Sequence, residues 1–112
     1  MNSKNIPFQL IDWSLIEKTE HKGETGIAYW QTVEFQGLRI RIVEYSAGYL
    51  ADHWCEKGHY GYILDGTFEI EFQNKKVVYQ TGDGVFIPEG KNHKHRAKAL
   101  TEFVKVIFIE NV

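Results

Sequence analysis

The sequence predicts an all-β sandwich or barrel. Short segments rich in β-branched and aromatic residues recur along the chain. Turn signals built on Gly, Pro, Asn or Asp separate them, and no stretch carries the 3.6-residue apolar period of a long helix. The 112 residues make one domain of ordinary size, and 43% hydrophobic with 14% aromatic residues is enough for a single core. The net charge is -2 and the Lys and Arg residues are scattered, which argues against a nucleic-acid partner or a polybasic membrane surface.

Taken in order, residues 6–18 hold an apolar cluster, Phe8, Leu10, Ile11, Trp13, Leu15 and Ile16, read as an arm with at most one helical turn near Asp12-Trp13-Ser14. Thr19 to Gly26 is polar and glycine-marked and reads as a solvated connector, or as a pocket rim if His21 or Glu24 reaches inward. We therefore divide the chain into an arm and loop over 1–26 and a barrel over 27–112. Ala28 to Phe35 is rich in β-formers and Gln36-Gly37 is a turn. Leu38, Ile40 and Ile42 alternate with Arg39 and Arg41, the period-2 signature of a half-buried strand. Ser46-Ala47-Gly48 and Asp65-Gly66 turn the chain. After Gly66, Phe68, Ile70 and Phe72 alternate with Thr67, Glu69 and Glu71. Asn74-Lys75, Gly82-Asp83-Gly84 and Pro88-Glu89-Gly90 separate further short strands at Lys76 to Gln80 and Val85 to Ile87. His93 to Lys98 and Thr101 to Glu110 close the series.

Chemistry concentrates between Asp52 and Gly66, where His53, Cys55 and His59 lie close together and Cys55 is the chain's one cysteine. Imidazole nitrogen and thiolate sulfur suit a transition metal of intermediate softness. On a strand, Ala51, His53 and Cys55 share one face, and a turn through Glu56-Lys57-Gly58 returns His59 on the neighbouring strand. Gly61 leaves space beside His59. His93 and His95 share a face with Ala97, while Lys94, Arg96 and Lys98 point the other way, so the histidine face is expected to be the inner one.

The spacing His53-x-Cys55-x3-His59-x6-Gly66 resembles the first motif of the cupin superfamily, usually His-x-His, three or four residues, Glu, six residues, Gly. Here Cys55 stands at the second histidine and His59 at the glutamate. Gly82-x5-Pro88-x-Gly90-x2-His93 is similar to the second cupin motif. Gly48 precedes His53 by one residue fewer than the common form, and Ala97 stands where Asn is frequent. The stretch Asp52-His53-Trp54-Cys55 also resembles the motif that names a DHCW subfamily of small cupins. The resemblance implies a double-stranded β-helix, or jelly-roll barrel, with His53, Cys55, His59 and His93 meeting around one divalent transition metal. Both replacements at the motif are themselves metal ligands, which favours a working site over a decayed one.

Four protein ligands, three imidazoles and a thiolate, would close a tetrahedral zinc site; a displaced Cys55 would leave three histidines and an open position. Zinc is the expected metal, with iron and nickel as alternatives; iron with dioxygen would expose the thiolate to oxidation. Glu44, Tyr62 and His95 are further pocket candidates, and Glu44, His95 and Glu24 are the candidate acid–base groups. Trp30, Trp54, Tyr60, Tyr62 and Phe86 are expected in the core, an interface or the cavity wall. The function stays open between an enzyme acting on a small polar molecule, a binding or sensor module, and a barrel with a structural zinc. A homodimer is expected from the resemblance. A cytoplasmic location is expected from the lone cysteine and the polar start of the chain.

Overall fold

The longest hairpin sets the architecture. Ile27–Phe35 (β2) and Leu38–Ser46 (β3) pair in antiparallel register. They are joined at Gln36 and Gly37, whose φ angles are 44° and 83°, the left-handed geometry that matches strand twist in a two-residue turn. The computed structural model describes residues 7–112, so the first six residues of the expected arm lie outside the described residues. The other strands are Thr19–Lys22 (β1), His59–Asp65 (β4), Thr67–Phe72 (β5), Lys76–Gln80 (β6), Gly84–Ile87 (β7), His95–Ala99 (β8) and Phe103–Asn111 (β9). They form a six-stranded sheet ordered β1-β2-β3-β9-β4-β7 and a three-stranded sheet ordered β6-β5-β8. All pairings are antiparallel. This is a jelly-roll architecture, as the strand pattern and the motif resemblance lead one to expect.

One segment differs from its expectation. Thr19–Lys22, read as a connector, is an edge strand paired with β2. Its polar composition hid it, because an edge strand needs little packing, and here His21 supplies it by stacking on Trp30 at 3.7 Å. The single turn expected near Asp12 is a 3-10 turn at Trp13–Leu15, capped by the Asp12 carboxylate. Gln31 Nε2 donates to the Trp13 and Ile16 carbonyls and so ties the arm to β2.

The core lies between the sheets, with Val43, Ile63, Phe68, Val104 and Val106 fully buried. Each such side chain contributes about 1.5–3 kcal/mol at most. The alternation in β3 is present, but the arginine face enters the barrel. Arg39 and Arg41 fall in step with Val43 and Tyr45, and Arg41 is buried. The opposite face continues across strands as Val33, Ile40, Ile109, Tyr60 and Phe86, and it exposes Tyr60, Tyr62, Phe86 and Ile109. Among the described residues, no helix is long and apolar enough to cross a membrane.

Candidate metal centre

An irregular strand builds one wall of the site. Residues 49–55 run along β8, with Ala99 N donating to Tyr49 O, Ala51 N to Ala97 O, and Cys55 and His95 exchanging both backbone hydrogen bonds at 2.7 and 2.9 Å. Ala51 thus faces Ala97 and Cys55 faces His95, which leaves Asp52, His53 and Trp54 opposite Arg96 alone. The two extra residues form a bulge. The doubly bonded Cys55–His95 pair puts its two side chains on one face. His59 arrives from the first position of β4, which pairs with Ile87 of β7. A side chain at Gly61 would strike the Ile107 carbonyl and the Phe108 ring. Glycine therefore lets Phe108 pack within 5.3 Å of the His59 ring.

Cys55, His59 and His95 offer three donor atoms that lie within 4.8 Å of one another. Both imidazoles are already engaged at Nδ1. His59 Nδ1 meets Glu110 Oε2 at 2.5 Å, and His95 Nδ1 meets the His93 carbonyl at 2.9 Å. An acceptor at Nδ1 fixes the proton there and leaves Nε2 as the free lone pair, the arrangement of metal-ligating histidines. Cys55 Sγ lies 3.6 Å from His59 Nε2. Tetrahedral zinc with ordinary bond lengths separates sulfur from nitrogen by about 3.5 Å. The donor set and its spacing fit a metal of the zinc type, with one position left for another ligand.

Glu110 anchors this arrangement. It is 1% exposed and lies across from Arg39 on β3. Its carboxylate accepts from Arg41 Nε at 2.6 Å, from Arg39 Nε at 2.8 Å and from His59. Burial pushes the carboxyl up, but the His59 hydrogen bond and the Arg41 charge outweigh it and hold Glu110 well below the usual carboxylate range. Burial likewise opposes ionisation of Cys55, yet hydrogen bonds from His59, His95 and the Lys57 backbone bring its thiol down to about 5. Burial lowers His59, whereas its bonds to Cys55 and Glu110 raise it above its ordinary value. Without metal, Cys55 and His59 thus favour each other's charged forms, the thiolate and the protonated ring. Cys55, His59 and His95 would hold a metal in their deprotonated forms, so its uptake should strengthen as pH rises.

The structure brings Cys55 and His59 together with His95, not with His53 and His93. His53 lies on the bulge and lines the cavity, but it is not one of the three clustered donors; it bonds the Asp52 carboxylate at 2.6 Å, with a side chain 74% exposed. His93 ends the 3-10 turn Lys91–His93, one residue before the linker to β8, so it does not share a strand face with His95. Its side chain borders a separate groove beside Phe72, Tyr79 and Pro88, and only its carbonyl reaches the centre. Of the four residues expected from the motif, Cys55 and His59 belong to this cluster, and His53 and His93 lie outside it. Glu44 faces away and pairs with Lys18 and Lys105. Tyr62 lies on the exposed outer face, and Glu24 is exposed. Glu110, Arg39 and Arg41 escaped the sequence reading. The signal was present for Glu110: it continues the buried series Val104, Val106, Phe108 at period 2.

The three donors open onto a cavity of about 410 Å³, within the range of small-molecule sites. Trp30, Tyr45, Trp54, Phe68 and Phe108 give it an aromatic wall. Arg41 stacks its guanidinium 4.3 Å from the Trp30 ring centre, and Arg96 stacks 5.0 Å from Trp54.

Residues 42–109 match the cupin domain family. The chain is 30% identical over 90 residues to the uncharacterized HTH-type transcriptional regulator YdeC of Bacillus subtilis (strain 168). That match takes in 80% of this chain but only 28% of the regulator. Among solved structures, a predicted oxalate decarboxylase from Thermotoga maritima superposes with a TM-score of 0.73 at 13% identity, over 93% of this chain and all of the other (100%). KdgF from Halomonas sp. superposes at 0.64 with 25% identity, covering 75% and 77% of the two chains. With its jelly-roll sheets, the match over residues 42–109 and these neighbours, the chain belongs to the cupin family.

Proposed function

We propose that this cupin holds a divalent transition metal at Cys55, His59 and His95 and binds or acts on a small polar molecule in the cavity beside it. The observation that carries the reading is the prior engagement of both imidazoles at Nδ1, which turns two Nε2 atoms and one sulfur toward a common point. One thiolate and two imidazoles favour zinc; nickel and iron remain within the same donor set. Three protein ligands with a cavity in front favour an open site over a structural one. When bound, such a metal supplies Lewis acidity toward a polar ligand atom. Glu110 holds the His59 tautomer, the His93 carbonyl holds that of His95, and the aromatic wall limits access of water.

The binding-module reading keeps the same site and differs only in lacking turnover. Similarity to a protein named as an HTH-type regulator favours it, because this chain corresponds to 28% of that protein's length. Elemental analysis of protein purified without a histidine tag tests the shared reading. About one metal per chain is expected, and Cys55→Ser should lose most of it. A metal-free wild type that takes up no zinc on titration would overturn the proposal.

A further inference from the structure

We propose that the cavity seats a small organic acid, with its carboxylate on Arg39 and Arg41 and its body against the aromatic wall. The inference rests on the reading of this cavity as a ligand site. Four cationic side chains line it, Arg39, Arg41, Lys57 and Arg96, against one acidic side chain, Glu56. Arg96 is paired with Glu71 at 2.9 Å. Arg39 and Arg41 both bond the same carboxylate, Glu110, so two guanidinium charges face one anion.

The geometry of that pairing matters more than the count. Arg39 gives Glu110 only its Nε, and Arg41 gives Nε and Nη2. Among the described residues, neither terminal nitrogen of Arg39 nor Nη1 of Arg41 has a protein partner, and no unpartnered side-chain nitrogen is buried. These donors are therefore open to an incoming acceptor. Both guanidinium groups lie over the Trp30 ring, at 5.9 and 4.3 Å from its centre, which restrains them, and each guanidinium is a planar fork suited to a carboxylate. Glu110 is also bonded to His59, so a single carboxylate and a single imidazole ring separate this anion seat from the metal centre. A ligand of cavity size can thus meet both. The volume equals that of about a dozen waters, which limits the acid to a small one.

Benzoate and its neutral isostere benzamide test the seat by calorimetric titration. Each is titrated into zinc-loaded and EDTA-treated wild type, Arg39→Met and Arg39→Lys. Metal content and melting temperature are measured on every sample. Arg39 is chosen because its side chain is 21% exposed and replaceable without opening the core. Wild type should bind benzoate at least about tenfold more tightly than benzamide, the value of a charge-assisted bond pair. Arg39→Met should erase that preference at unchanged metal content, and Arg39→Lys should retain only part of it. Equal binding of the two probes, or a preference that survives in Arg39→Met, overturns the proposal. A preference that survives Arg39→Met but vanishes with EDTA puts benzoate on the metal, sinking the arginine seat while the metal reading stands. A preference that tracks Arg39 in protein unable to hold zinc does the reverse.

Discussion

The protein has two histidine-bearing regions that look alike in the chain and differ in the fold. One is the buried centre of Cys55, His59 and His95 under Glu110. The other is the rim, where His53 sits on the bulge and His93 closes a 3-10 turn. In the first, each imidazole has a fixed acceptor at Nδ1 and an apolar or aromatic neighbour. In the second, both side chains are exposed, and His53 bonds its sequence neighbour Asp52. A histidine becomes a metal donor less through its place in a motif than through the partner that orients its other nitrogen.

The sharpest way to break this contrast is to remove Glu110. Glu110→Ala leaves Arg41 buried without its counter-ion and should cost about 3–5 kcal/mol of stability, read by urea unfolding. Glu110→Gln keeps the shape and should lower metal affinity by roughly 10- to 100-fold with a smaller stability loss. Acid acts on the same group. Its folded-state pKa is depressed, so its contribution is present above the ordinary value of 4.5 and is lost as pH falls below that toward the folded value. Glu110→Gln should flatten the acid limb of the stability curve. A variant as stable and as pH-sensitive as wild type would show that Glu110 does not anchor the centre.

A second test uses the thiol. With its pKa brought down to about 5, Cys55 in metal-free protein is mostly thiolate at pH 7. Iodoacetamide should modify it at pH 6 several-fold faster than a free thiol of ordinary pKa, and zinc should slow the reaction. Alkylation that zinc leaves unchanged would place the metal away from Cys55. The smallest effects belong to the rim. His53→Ala and His93→Ala should each change stability by about 0.5 kcal/mol or less and leave metal content intact, since the carbonyl of residue 93 survives substitution. Metal loss in either variant, measured by elemental analysis, would restore the motif-based ligand set.

Much of the strand framework was legible in local pattern. The turns at Gln36-Gly37, Asp65-Gly66 and Gly82-Asp83-Gly84 and the alternation in β5 all stand where residue chemistry puts them. β1 was not legible, because its aromatic packing, His21 on Trp30, is made across strands. Of the centre, the sequence by itself marked Cys55, His59 and His95 as chemically notable. Only the tertiary structure shows which histidines lie beside Cys55. A bulge adds two residues between Ala51 and Cys55 and leaves His53 outside the donor cluster, and a 3-10 turn takes His93 off the strand; neither follows from period-2 counting. The same holds for β3, where alternation is symmetric and says nothing of which face turns inward. That choice depends on Glu110, which lies 71 residues from Arg39 in the chain and pairs with it only once β3 and β9 are side by side. Backbone preference is local and can be read along the chain, whereas burial of charge is stable only when a distant partner is in place.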